Sequence, residues 1–141
     1  AGKDKVFGWP QWDEPAEPEW SVELPIPRQL PYLYDGCTGI VFPIHTSVGF
    51  ARGMGLPDIV LQGTATLAIA MREVMNREAG GTPERLRELS TRFASMVVPD
   101  TSIRVELTHR EQRGVEKLVA FRVVTEDGKH ALRHGFARIT D

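Results

Sequence analysis

The sequence predicts an α+β domain in which an antiparallel β-sheet wraps around one long central α-helix. Two observations carry that prediction. Between Leu61 and Glu78 an unbroken, proline-free run repeats apolar residues at helical spacing. After Thr82 the period falls to two, and four successive segments read as strands divided by turn residues.

Taken in order, residues 1–19 form a proline- and tryptophan-rich arm, and residues 20–141 a single domain. Eight of the ten prolines lie at or before Pro57, and Trp9, Trp12 and Trp20 all fall in the first twenty residues. Proline fixes φ and removes a donor, so Pro10 to Pro31 holds no long helix or central strand. Indoles on such an arm are unfavourable in water. The arm is therefore expected to pack on its own domain or on a partner, the alternative being a peptide-like recognition segment. Trp20 to Ile26 suits a first strand, followed by an irregular stretch with a short helix. The long run then repeats Leu67, Ile69, Ala70, Met71, Val74 and Met75 with alanines between them, and Gly80-Gly81 stops it. Its first half is apolar nearly all round, which predicts a wrapped, buried helix. Arg92 to Val98 reads as a strand that turns at Pro99-Asp100. Ile103 to Thr108 alternates, as a half-buried strand does. Leu118 to Val124 is a continuous apolar run, as in a strand covered on both faces. Asp127-Gly128 marks a hairpin, and Ala131 to Ile139 is the last strand.

The totals bound the function. A chain of 141 residues, 41% hydrophobic and 26% charged, is one ordinary globular domain. Its net charge of −2 gives no footprint for nucleic acid or an anionic membrane, and Arg85 to Arg92 reads as a solvated face. The single cysteine, Cys37, allows no intramolecular disulfide and is expected to be a small buried residue. No segment is long and apolar enough for a span, and the start at Ala1 shows no signal pattern, so the expected location is the cytoplasm. The missing initiator Met leaves room for a longer parent polypeptide. Gly49, Gly53 and Gly55 lack the order of a nucleotide loop. His109, His130 and His134 match no metal spacing and read as surface or interface groups, and no metal or cofactor is expected.

The informative stretch is Cys37-Thr38-Gly39-Ile40-Val41-Phe42-Pro43-Ile44-His45-Thr46-Ser47, with Phe50-Ala51-Arg52, Gly55 and Ile59-Val60-Leu61-Gln62-Gly63-Thr64 behind it. It resembles the signature of the MaoC-like, (R)-specific enoyl-CoA hydratases. In that signature an S/T-G-D step leads to N-P-(I/L)-H-x-D, a short helix ends F-A-x-x-x-G, and I-x-H-G opens the central helix. Downstream, Arg92-Phe93 with Val97-Val98-Pro99-Asp100, the Asp127-Gly128 hairpin and Gly135-Phe136-Ala137 fit as well. The resemblance spans about Ile26 to Ile139. It implies a hot-dog fold, which pairs with a second copy or with another hot-dog subunit so that a thioester channel runs at the interface.

The implied chemistry is reversible addition of water to a 2-enoyl thioester carried by CoA or an acyl carrier, with no further cofactor. His45 stands at the family's acid–base histidine, and Gly63 at the glycine whose N–H binds the thioester oxygen at a helix start. Four polar positions differ: Ile40 replaces the Asp, Phe42 the Asn, Ser47 the second Asp and Gln62 the His. Losing one member of an acid–base pair typically lowers rate on the order of 10²–10⁴-fold.

Three readings compete. His45 acts alone or with a carboxylate from elsewhere, Asp35 or Asp58, while Gln62 joins Gly63 in holding the thioester oxygen. Alternatively the chain is a non-catalytic acyl-binding subunit of a heteromeric hydratase. In the third reading the scaffold serves another thioester reaction or binding alone. Ile40, Val41, Phe42, Ser47 and Thr64 are the expected substrate-binding residues, the first three as an apolar acyl wall. The plain alternatives are a structural His45, a close-packing Gly63 and a loop-capping Gln62.

Overall fold

The computed structural model describes residues 9–13, 15 and 17–141. Strand β1 spans Trp20–Ile26, with the bounds the sequence suggests. Helix α1 (Leu30–Thr38) follows, then a tight 3₁₀ turn at Pro43–His45 and the short α2 (Val48–Gly53). The long helix α3 is Gly63–Glu78. The remaining strands are β2 (Leu86–Phe93), β3 (Thr101–Arg113), β4 (Glu116–Thr125) and β5 (His130–Thr140). They form one antiparallel sheet in the order β1-β3-β4-β5-β2.

One face of the sheet contributes Val105, Leu107, Val119, Phe121, Val123, Ala137 and Ile139 to a core with Ala65, Ala70, Met71, Val74 and Met75 of α3. Small residues on the helix let it lie close to the strands. The approach is equally close at Gly135, where an added Cβ would stand 2.5 Å from the Phe121 carbonyl oxygen. β4 is the central strand and is buried on both faces. The far face is covered in part by the arm. Trp9 stacks on Phe136 with ring centroids 5.3 Å apart, and Trp12 stacks on His109 at 5.1 Å.

The hairpin expected at Asp127-Gly128 is present. Gly128 has φ 81 and its N–H donates to the Thr125 oxygen, while Thr125 N–H donates to Lys129. Asp100 makes the turn beside Pro99 with φ 63, and its N–H donates to Ile26 O.

Four expectations need correction. The strand placed at Arg92 to Val98 lies earlier, ending at Phe93. Past Ala94, whose N–H still reaches Ala131 O, the chain leaves the sheet so that Val97 O can accept from Leu61 N–H. That bond holds Leu61 extended, so α3 starts at Gly63. The first half of α3 is not wrapped all round: Ala68 is exposed, and Leu67 and Ile69 are half-buried. Cys37 is exposed, because it sits on α1, a helix the sequence reading left unassigned. That helix opens with Pro31 in its first turn and stops at Gly39, whose φ of 66 suits glycine.

Candidate functional site

His45 ends the 3₁₀ turn that Pro43 starts. The turn is closed by His45 N–H to Phe42 O, and by Thr46 and Ser47 N–H to Pro43 O. The imidazole Nδ1 lies 2.7 Å from the Val60 carbonyl oxygen. A carbonyl only accepts, so Nδ1 carries the proton and Nε2 is left with its lone pair. A backbone group thereby sets the tautomer and the ring orientation. The same segment is tied back a second time, by Val60 N–H to Ile44 O at 3.1 Å.

His45 and Gly63 line one cavity of about 250 Å³, together with Ile44, Thr66, Phe93 and Leu132. The remaining wall is mainly apolar, with Ser95 as a further hydroxyl. Gly63 is the first residue of α3, where backbone N–H groups have no intrahelical partner and the helix dipole is positive. An imidazole base and an anion-favouring helix start thus share one mainly apolar space. Phe93 lies against the glycine: a Cβ added at Gly63 would come within 2.9 Å of its ring.

The other expected residues do not reach this cavity. Gln62 is 2% exposed and turns toward α1, where its Nε2 donates to Pro31 O at 2.9 Å. Its Oε1 is buried without a partner among the described residues. It therefore pins the start of α3 to α1, and the second thioester donor expected there is absent from the lining. Thr64 accepts from the Tyr34 hydroxyl at 2.9 Å, a second tie between the same helices. Ser47 caps α2, its Oγ accepting from Phe50 N–H at 3.2 Å. Ile40, Val41 and Phe42 are exposed, Val41 to 79%. Phe42 touches the site only by its ring, edge-on to His45 at 6.0 Å between centroids. The lining of this segment begins with Ile44, one residue into the Pro43 turn.

The two candidate carboxylates differ. Asp58 receives Arg28 in bidentate fashion at 2.5 and 2.9 Å and also accepts from Ile59 N–H at 2.7 Å. The Arg28 hydrogen bonds and charge hold its carboxyl below the usual aspartate range, so it serves as a fixed anion. Asp35 keeps one buried oxygen without a partner among the described residues, on the α1 turn above Pro31. Neither lines the cavity. Thr66 and Ser95, which do, carried no signal in the motif. Thr66 was findable as the residue one turn after Gly63 on the same helix face. Ser95 follows the strand end that the sequence reading misplaced. Among the described residues no three His, Cys, Asp or Glu side chains are grouped to hold a metal ion, and no helix is long and apolar enough to cross a membrane.

A five-stranded antiparallel sheet folded about one helix, with a histidine lining the same cavity as that helix's first residue, is the hot-dog architecture. The chain belongs to the MaoC-like dehydratase family, whose domain model, described as "MaoC like domain", matches residues 14–129. A curated relative, the fatty acid synthase subunit beta of Aspergillus oryzae, is 31% identical over 110 residues, covering 76% of this chain. The chain spans 5% of that subunit's length. Among solved structures, full-length peroxisomal multifunctional enzyme type 2 of Drosophila melanogaster superposes with a TM-score of 0.81 at 24% identity, over 99% of this chain and 25% of that one. The unliganded (R)-hydratase PhaJ1 of Pseudomonas aeruginosa gives 0.76 at 20% identity, over 86% and 77%. The ChsH1–ChsH2 complex of Mycobacterium tuberculosis gives 0.73 at 12% identity, over 86% and 94%. At these identities the structural likenesses establish the fold.

Proposed function

We propose that this chain acts on acyl thioesters as a hydratase or dehydratase, with His45 Nε2 as the acid–base group and the Gly63 N–H as the oxyanion donor. The observation that carries this reading is the shared cavity, in which a histidine of fixed tautomer faces the same apolar space as the head of α3. In the hydration direction Nε2 takes a proton from water and the oxygen bonds to Cβ of the 2-enoyl group. The displaced electron pair moves through Cα to the thioester oxygen, where the helix N-terminus stabilises it. The imidazolium then returns a proton to Cα, and the charge on oxygen collapses. With Ile40 where the family has Asp, one imidazole serves both proton transfers, and a slow rate is expected.

A second reading, an acyl-binding subunit completed by a partner hot-dog domain, is favoured by one specific observation. Leu33, Val41, Phe42, Phe50 and Met54 are exposed on or next to α1 and α2, with the Phe42 and Phe50 rings edge-on at 6.2 Å, and grouped apolar exposure of this kind marks interaction surfaces. The likeness to a two-protein complex fits this reading.

The deciding assay follows loss of enoyl absorbance with a panel of 2-enoyl-CoA thioesters, for the wild type and His45→Ala. Turnover lost in the variant supports the enzyme. Saturable acyl-CoA binding without turnover supports the subunit, and native mass measured with co-expressed hot-dog partners then identifies the complex. Absence of both binding and turnover overturns both readings.

A further inference from the structure

The cavity that His45 and Gly63 share holds a buried hydroxyl that the chemistry above does not use. Thr66 lines it, one turn into α3. The residue is 2% exposed, yet among the described residues its hydroxyl has no hydrogen-bond partner. A helical threonine can return its hydroxyl to a carbonyl of the preceding turn, and Thr38 of α1 does so, donating to Tyr34 O at 2.7 Å. The matching carbonyl behind Thr66 is that of Gln62. It accepts from the backbone N–H groups of Ala65 at 3.0 Å and of Thr66 itself at 3.1 Å.

The Thr66 hydroxyl is not sealed in either. The described side-chain oxygens that are shut off from solvent without a partner are Asp35 Oδ1 and Gln62 Oε1. The opening left to Thr66 is the cavity that it lines. A buried hydroxyl is costly unless something meets it, and the cavity is the side from which a partner can come. Its direction follows from the helix. Helical side chains lean back toward the N-terminus and lie over the preceding turn. For Thr66 that turn begins at Gly63, which has no side chain to occupy the space, while the Phe93 ring closes in where a Cβ would stand. The hydroxyl and the unpaired N–H groups of the first turn are therefore turned toward the same end of the cavity.

We propose that Thr66 is a second donor to the thioester oxygen, beside the Gly63 N–H, a role that rests on the thioester reading above. It takes the place that the sequence suggested for Gln62, whose side chain is held on Pro31 O. As charge builds on the oxygen, the hydrogen bond from the hydroxyl strengthens, and no proton is transferred. The β-branch restricts the rotamers of Thr66, so the donor is largely oriented before substrate arrives. Ser95, the further hydroxyl of the lining, is half-buried on the loop past β2, where water can satisfy it.

The test compares Thr66→Val, which keeps the shape and removes the hydroxyl, with Thr66→Ser, which keeps the hydroxyl. In the 2-enoyl-CoA assay kcat is expected to fall on the order of 10²-fold in Thr66→Val with KM nearly unchanged, and to recover in Thr66→Ser. The melting temperature of Thr66→Val should not drop, because the hydroxyl bonds nothing in the free protein. A second readout needs no turnover. The infrared stretch of an isotope-labelled thioester carbonyl in a bound saturated acyl-CoA is expected at lower frequency on the wild type and on Thr66→Ser than on Thr66→Val. If the chain binds acyl-CoA without turnover, this shift alone decides. A carbonyl frequency that does not move in Thr66→Val overturns the assignment and leaves the thioester reading standing. So does a Thr66→Val rate equal to that of the wild type where His45→Ala is inactive. A chain that binds no acyl-CoA overturns both.

Discussion

The two ends of α3 are built on opposite principles. At the C-terminal end Glu78 is buried, yet every polar group around it has a partner. Its carboxylate accepts from Trp20 Nε1 at 2.9 Å and from Arg110 at 2.6 and 2.7 Å, while Lys117 donates to its carbonyl at 2.6 Å. A carboxylate at a helix C-terminus is disfavoured by the dipole, and two cations offset that. At the N-terminal end the first N–H groups are free of helical partners, and Gln62 Oε1 and Asp35 Oδ1 are buried without partners among the described residues. An unmatched buried acceptor costs about 1–3 kcal/mol. The closed end fixes the helix. The open end presents the first N–H groups of α3 beside the cavity that His45 lines, which is where chemistry is expected.

The largest expected effect falls on the open end. His45→Ala is predicted to lower hydration on the order of 10²–10⁴-fold while the melting temperature changes little, since the ring is half-buried and makes a single hydrogen bond. Enoyl absorbance and thermal melts on the same preparation check both halves. A large fall in stability with no change in rate would reverse the roles assigned to the two ends.

At the closed end the prediction is the opposite. Glu78→Ala leaves Arg110 and Trp20 without their acceptor. Breaking a buried pair costs about 3–5 kcal/mol, reduced here to about 2–3 because Arg110 is partly exposed. Denaturant melts should show that loss. Burial pushes the Glu78 carboxyl up, but hydrogen bonds from Arg110 and Trp20 and the charges of Arg110 and Lys117 outweigh it and hold the group below the usual glutamate range. A depressed folded-state value gives stability that is present at neutral pH and is lost as pH falls below about 4. Glu78→Gln should flatten that acid loss.

The contrast also explains what was legible in the sequence. The strands from Thr101 onward bury one face or both, and burial writes a period into the residue order, so Ile103 to Thr108 and Leu118 to Val124 could be read directly. Glu78 could not, because its partners Trp20 and Arg110 lie far away in sequence and charge placement has no period. His45 and Gly63 were visible through motif spacing, and the structure brings both to one cavity. Ile40, Val41 and Phe42 were read as its wall because of their apolarity. In the single chain they are exposed and do not line that cavity, a direction that residue type does not encode. The misplaced strand at Arg92 to Val98 has the same origin: those residues suit a strand, but Val97 O is taken by Leu61 N–H.

Gly63→Ala sharpens the comparison at a smaller scale. The new methyl would stand 2.9 Å from the Phe93 ring, which is 51% exposed and has space to swing outward. Alanine is also the better helix former by about 1 kcal/mol, so stability should stay nearly constant. The displaced ring and the methyl itself intrude on the cavity, and small misplacements at a reacting centre reach about 10²-fold. A fall of roughly ten- to a hundredfold in rate is expected, with partial recovery in Gly63→Ala/Phe93→Ala. Unchanged rate would place the thioester oxygen elsewhere.

The smallest effect tests how far the open end extends. Ser47 occupies a position that is acidic in the family, yet here its Oγ does no more than cap α2 through Phe50 N–H. Ser47→Ala should therefore cost about 1 kcal/mol of stability, the ordinary value of an N-cap, with rate and KM unchanged. Ser47→Asp keeps the capping acceptor and adds charge at a helix start, where it is favourable by about 0.3–1 kcal/mol. If that variant raised the hydration rate as well, Ser47 would belong to the catalytic surroundings of His45 and the open end would reach as far as α2. If only the melting temperature moved, the working part of the site would be the cavity between His45 and the head of α3.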